Sequence, residues 1–143
     1  MAKLKITNAF EKNSVSMLVF LVAQYLLGMY VAMFAARPED PAFKTEGLFP
    51  KIVFGFHSLV GLGLLVGSVV TLVFGLKNQE EKIKKTAIFA FISIVLAFSA
   101  GIATVILKDT AAEITSYVMS AGFLGAFISY GKLFFLLKSG RRE

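Results

Sequence analysis

The sequence predicts an all-α integral membrane protein, an antiparallel four-helix bundle with both termini in the cytoplasm, on three observations. Its 143 residues are 57% hydrophobic and only 17% charged, whereas about 25% of an ordinary soluble domain is charged. Four stretches are each long enough for a hydrocarbon core about 30 Å thick, which takes about 20 apolar residues in a helix. The basic residues gather on alternate connections, as they do when a chain crosses the membrane repeatedly. Lipid offers backbone groups no hydrogen-bond partner, so uninterrupted apolar runs of this length are helices rather than barrel strands. Length suits one domain, 1–143. The absence of cysteine excludes disulfides, iron–sulfur clusters and thiolate zinc.

The first span is predicted over 15–36, which carries no charge. Its apolar run exceeds the roughly 7 to 15 residues of a signal-peptide core, and Arg37-Pro38-Glu39-Asp40 does not resemble a small-residue cleavage site. The external loop 37–51 holds all three prolines, Pro38, Pro41 and Pro50, together with Gly47, which predicts an extended cap or a short surface helix. The second span, 52–76, is uncharged and contains the sole histidine, His57. Asn78-Gln79-Glu80-Glu81 opens the cytoplasmic loop, the third span covers 86–107, and Asp109-Thr110 is expected to cap the last external turn. The fourth span, 114–137, has one charge, Lys132, in its final third, read as a residue snorkelling to the interface. Short connections favour neighbouring helices running in opposite directions.

Orientation follows from lysine and arginine. The N-terminal arm carries Lys3, Lys5 and Lys12, the loop after the second span Lys77, Lys82, Lys84 and Lys85, and the C-terminal end Lys132, Lys138, Arg141 and Arg142. The other side has only Arg37, Lys44, Lys51 and Lys108, offset by Glu39, Asp40, Glu46, Asp109 and Glu113. The net charge of +6 therefore reads as a signal for multi-pass insertion in the cell membrane, with attraction to anionic lipid, and not as a nucleic-acid footprint.

Membrane helices associate by close packing, so small residues mark contact faces. On the second span His57, Gly61, Leu64, Ser68, Thr71 and Gly75 fall within about 40° of one line at 100° per residue. Gly63 and Gly67 form a GxxxG pair on an adjoining face, for use inside the bundle or between copies. Ala90, Ser93, Ala97, Gly101 and Thr104 share a side of the third span, Tyr117, Ala121, Gly125 and Ser129 recur along the fourth, and the first offers Gln24, Gly28 and Ala32. Helix packing alone accounts for such stripes.

Several chemistries find no residues here. The spans carry no Asp or Glu for proton-coupled export, and there is no HExxH, GxSxG or phosphate loop. With one histidine and no cysteine, a zinc site made by the protein alone has too few ligands. An enzymatic role is accordingly not the expectation.

His57 is the polar residue that calls for a role. It lies about 7 to 8 Å inside the external end of its span at a rise of 1.5 Å per residue. A hydrogen bond to a neighbouring helix is its plainest use; neutral imidazole is also a common axial ligand of haem iron. Met29 and Tyr30 on the first span and Met119 on the fourth come to about the same depth by the same rise. A His/Met pair suits a low-spin haem b, and a homodimer offers two copies of His57 instead. The candidate cofactor site is therefore His57 as metal ligand, with Met119, Met29, Tyr30, Gln24 and Gly61. Its glycines admit a flat macrocycle, and Phe54 and Phe56 are available to cover its faces.

The run Gln24-Tyr25-Leu26-Leu27-Gly28, followed after an external loop by His57 and a Gly/Leu-rich helix, resembles the Q-x-x-x-G and histidine layout of one four-helix half of the haem A synthase family. The resemblance covers the first two spans. It implies a haem-binding bundle, though that family has eight spans and further haem-ligating histidines, whereas the fourth span here carries Tyr117 and Met119. Leu27-Gly28-Met29-Tyr30 and Ser116-Tyr117-Val118-Met119-Ser120 also resemble small four-helix prokaryotic membrane proteins, which imply no activity. Two functions follow: a b-type haem bundle that moves electrons or senses a redox ligand, or a non-enzymatic scaffold or accessory subunit that packs in a larger membrane complex through its Gly/Ala/Ser faces.

Overall fold

A computed structural model describes residues 2–34, 47–107 and 109–139, and the described chain is all-helical. Four helices follow in order, α1 (Ala2–Phe34), α2 (Leu48–Leu76), α3 (Glu81–Ile106) and α4 (Asp109–Ser139). All four are long and apolar enough to cross a membrane. Large apolar side chains cover the outside, with Tyr117 78%, Leu48 74% and Phe135 71% exposed, and lipid is the solvent in which such a surface is stable.

Helix ends follow local chemistry. Pro50 lies in the first turn of α2, where the amide it lacks has no partner in the helix anyway. Residues 48–51, expected in the external loop, are therefore helical, while the expectation for 37–46 lies outside the described residues. Between α2 and α3 the Asn78 side chain accepts a hydrogen bond from the Glu80 amide at 2.9 Å, which closes the turn. α4 begins at Asp109, so that residue belongs to the helix rather than preceding it. α1 extends well before the predicted span start at Val15, and in that extension Phe10, only 1% exposed, packs on Phe74 of α2 with ring centroids 5.6 Å apart. A span defined by absence of charge stops short of such an anchor.

Each helix packs on its neighbours in sequence, and α1 also packs on α4. Along α1 and α2 the contacts run in opposite order: Gly28 meets His57, Gln24 meets Gly61, Met17 meets Gly67 and Asn13 meets Thr71. Gly101 with Met119, Ala97 with Gly122 and Ser93 with Gly125 repeat that order along α3 and α4. The backbones of α2 and α4 do not meet, and the Tyr130 hydroxyl bridges the gap to Thr71.

Rows of buried positions, one on each helix, alternate steps of three and four. They are Phe10, Ser14, Met17 and Leu21 on α1, Leu64, Ser68, Thr71 and Gly75 on α2, Ile83, Ala87, Ala90 and Ile94 on α3, and Ala126, Tyr130, Leu133 and Leu137 on α4. A 3.5-residue repeat keeps one seam facing the neighbours. The predicted α2 stripe follows that repeat and turns inward. The predicted α4 stripe does not: Tyr117 and Ala121 are exposed, Gly125 is half-buried and only Ser129 is buried. A spacing of four advances about 40° per step, so three steps walk about 120° off the contact face.

The core is unevenly distributed along the bundle. On α1 no described residue beyond Leu21 is buried, and on α2 none before Leu64. In the other half only Ala100, Ala112 and Gly122 are buried, all on α3 and α4.

The GxxxG glycines part company. A Cβ on Gly67 collides with the Met17 sulfur, whereas one on Gly63 meets nothing within 4 Å. Gly67→Leu should lower the melting temperature of the detergent-solubilised chain, and Gly63→Leu should leave it within error. Equal melting of Gly67→Leu and the parent would remove Gly67 from the α1–α2 contact.

Candidate functional site at Gln24 and His57

His57 and Gln24 form a reciprocal clasp between α1 and α2. Each stands four residues before a glycine, in Gln24-x-x-x-Gly28 and His57-x-x-x-Gly61, so side chain and glycine lie on one helix face. The opposed order of the two helices sets each polar side chain across the other helix's glycine. A Cβ on Gly28 would approach His57 Cε1 to 3.2 Å, and one on Gly61 would approach the Gln24 amide nitrogen to 3.3 Å. Gly61, expected to admit a macrocycle, is therefore covered by the Gln24 amide, as Gly28 is by the imidazole.

The two side chains meet at 3.3 Å, Gln24 Nε2 to His57 Nε2. His57 Nδ1 and Gln24 Oε1 are shielded from solvent and have no hydrogen-bond partner. Turning the amide over gives no relief: a neutral imidazole has one donor and one acceptor nitrogen, so either orientation leaves one ring nitrogen and one amide terminus unpaired. Such atoms are uncommon in folded proteins and point to a water, ion or ligand. Packing explains half of this polar pair and leaves the other half open.

The remaining predicted residues are placed differently. Met119 is half-buried on α4 and directed at α3, its sulfur 3.3 Å from a Cβ built on Gly101. Tyr25 on α1 and Phe123 on α4 lie level, with centroids 5.9 Å apart; one helical turn further, Met119 comes level with Gly28 and hence with His57. Met29 is 42% exposed on the outer surface. Tyr30 packs against Phe34 at 5.2 Å and edge-on against Phe49 at 5.7 Å. Phe54 is half-buried, and Phe56 is exposed. The structure thus gathers His57, Gln24 and Gly61 but not Met29 or Tyr30, and Met119 shares only their level.

Apolar grooves among the described residues include two. One, about 240 Å³, lies between α1 and α4 against Tyr25, Phe123 and Phe127. The other, about 230 Å³, lies along α2 at Ile52, Gly55, Phe56 and Leu59. Neither borders His57. Among the described residues no three His, Cys, Asp or Glu side chains gather to hold a metal, so a metal at His57 has to bring most of its ligands with it, as the iron of a macrocycle does.

One buried polar centre escaped the sequence reading. Thr71 Oγ1 accepts from Asn13 Nδ2 at 2.8 Å and from the Tyr130 hydroxyl at 3.2 Å, and it donates to Gly67 O at 3.1 Å. Thr71 lay on the predicted α2 stripe, and the 3.5-residue row through Ala126 and Leu133 is the signal that would have found Tyr130.

No protein-family model matches the chain, and no curated protein or solved structure is significantly similar to it.

Proposed function

We propose that this chain is a multi-pass protein of the cell membrane, an antiparallel bundle with cytoplasmic termini, which uses His57 to hold a b-type haem near the outer leaflet. The observation that carries the proposal is the clasp itself. The only imidazole in the chain stands in the sparsely packed half of the bundle, its Nε2 held by a single amide contact to α1 at 3.3 Å, and its shielded Nδ1 and the Gln24 amide oxygen are left without a partner. Opposed contact order along the helix pairs and the asymmetry of basic residues support the topology.

Haem supplies a one-electron couple, which suits electron transfer or redox sensing. His57 would be the residue of this chain that holds the iron. Met119, level with it on α4, or the His57 of a second copy would supply the other ligand, Met119 by turning from Gly101, which its sulfur now faces. Gln24, 3.3 Å from His57 Nε2 in the ligand-free chain, would have to yield that nitrogen to the iron.

The test is an absorption spectrum of chain purified from haem-supplemented cells, oxidised and then reduced with dithionite. A stoichiometric Soret band with sharp reduced α and β bands is expected, and His57→Ala should abolish it while leaving helicity intact. A colourless parent, or a His57→Ala variant with a full haem complement, overturns the ligand assignment.

A second reading, an accessory subunit in a larger membrane complex, is favoured by one feature. Gly55 and Gly63 are exposed on the outside of α2, and a Cβ on either meets nothing within 4 Å, which leaves a surface where another helix can approach closely. A flat spectrum together with altered association of Gly63→Leu selects it.

A further inference from the structure

The clasp decides which imidazole nitrogen is engaged. Gln24 Nε2 lies 3.3 Å from His57 Nε2; an amide nitrogen only donates, so this arrangement goes with a lone pair on Nε2 and the ring proton on Nδ1, whereas the turned amide would go with the opposite tautomer. Gly28 under the ring and Gly61 under the amide let both groups lie flat against the opposite helix, and a methyl at either position would press on them. We propose that Gln24 is a latch on His57: it caps the Nε2 lone pair, holds the ring in the Nδ1–H tautomer, and has to swing away before an incoming group takes that lone pair.

The latch rests on the haem reading only for the identity of that group. Its energetic sense is fixed. A hydrogen bond made in the ligand-free state and broken on binding stabilises the free state alone, so it lowers affinity for anything that claims Nε2. A typical net hydrogen bond corresponds to about fivefold in an equilibrium constant. Gln24 is thus a positioning residue, and its removal should make the imidazole more available.

Because His57 is the sole histidine, the N-acylimidazole absorbance that diethyl pyrocarbonate raises on an unprotonated imidazole nitrogen reports on it alone in a chain purified without a polyhistidine tag. Gln24→Leu keeps the bulk and removes the hydrogen bond; it should be modified about fivefold faster than the parent. Nitrogen-15 spectra of the parent ring should show the proton on Nδ1, and Gln24→Leu should show a mixture of tautomers. Gln24→Met, with an unbranched chain, serves if the leucine variant does not fold. Equal modification rates in folded variants, or a parent ring protonated on Nε2, overturn the latch. A parent that binds no haem but shows the Nδ1–H tautomer and the faster variant upholds the latch and rejects the haem reading. A parent that binds haem while the variants react at the parental rate does the reverse.

Discussion

Gly122→Ala should unseat α4 from α3. A Cβ at this position would stand 2.8 Å from the backbone nitrogen of Ala97, 2.9 Å from the carbonyl oxygen of Ser93 and 3.1 Å from the Ala97 Cβ. None of these atoms is the end of a flexible side chain, so the clash is relieved only by moving one helix away from the other. Overpacking costs about 1–3 kcal/mol, and contact with backbone belongs at the upper end of that range. Alanine recovers up to about 1 kcal/mol in helix propensity over glycine, which leaves a net loss of about 2 kcal/mol. The loss weighs heavily in lipid, where helices gain nothing from leaving water and depend on close packing. Gly63 and Gly131 are the controls, because a Cβ on either meets nothing within 4 Å; their alanine variants should melt at or slightly above the parental temperature in the same detergent. Coincident melting curves for Gly122→Ala and the parent would show that the α3–α4 approach is looser than these distances.

How much of this was legible in the sequence differs between helices for a physical reason. The α2 row from His57 to Gly75 alternates steps of four and three, the repeat that stays on a packed seam, and its residues turn inward. The α4 row runs in steps of four and drifts away, leaving Tyr117 exposed and Tyr130, off that row, at the centre. Depth along a helix follows from rise alone, so Met29, Tyr30 and Met119 were placed near the level of His57; rotation about the axis was the missing coordinate. Five residues separate Gln24 from Met29, about 140° at 100° per residue, and that angle carries Met29 from the face of α2 to the outer surface. Tyr30, a further 100° round, meets Phe49 instead. The Gln24–His57 pairing spans 33 positions, and it depends on the register of α1 against α2. Side chains such as Met17 against Gly67 and Phe10 against Phe74 set that register, and no single helix contains it.

The same dependence on register makes Thr71→Val the most informative change in the packed half. Valine matches threonine in shape, so the substitution removes an oxygen and little else. That oxygen receives hydrogen bonds from Asn13 on α1 and Tyr130 on α4, and its loss strands both donors. Tyr130 is fully buried with its hydroxyl in an apolar core, where an unpaired group costs about 1–3 kcal/mol. Interhelical hydrogen bonds in membranes average about 0.6 kcal/mol and reach about 1.7, so two broken bonds amount to about 2 kcal/mol. Ser14→Ala is the contrasting case: Ser14 is equally buried, but its hydroxyl donates only to the carbonyl of Phe10 in its own helix at 3.0 Å, and its removal strands no partner on another helix. Thr71→Val should therefore unfold at clearly lower temperature or denaturant than Ser14→Ala. Tyr130→Phe, which takes away one of the two donors, should fall between them. If Thr71→Val and Ser14→Ala unfold together, the oxygen of Thr71 is not what ties α1 and α4 to α2, and the apolar row of Leu64, Leu21 and Leu133 sets the register without it.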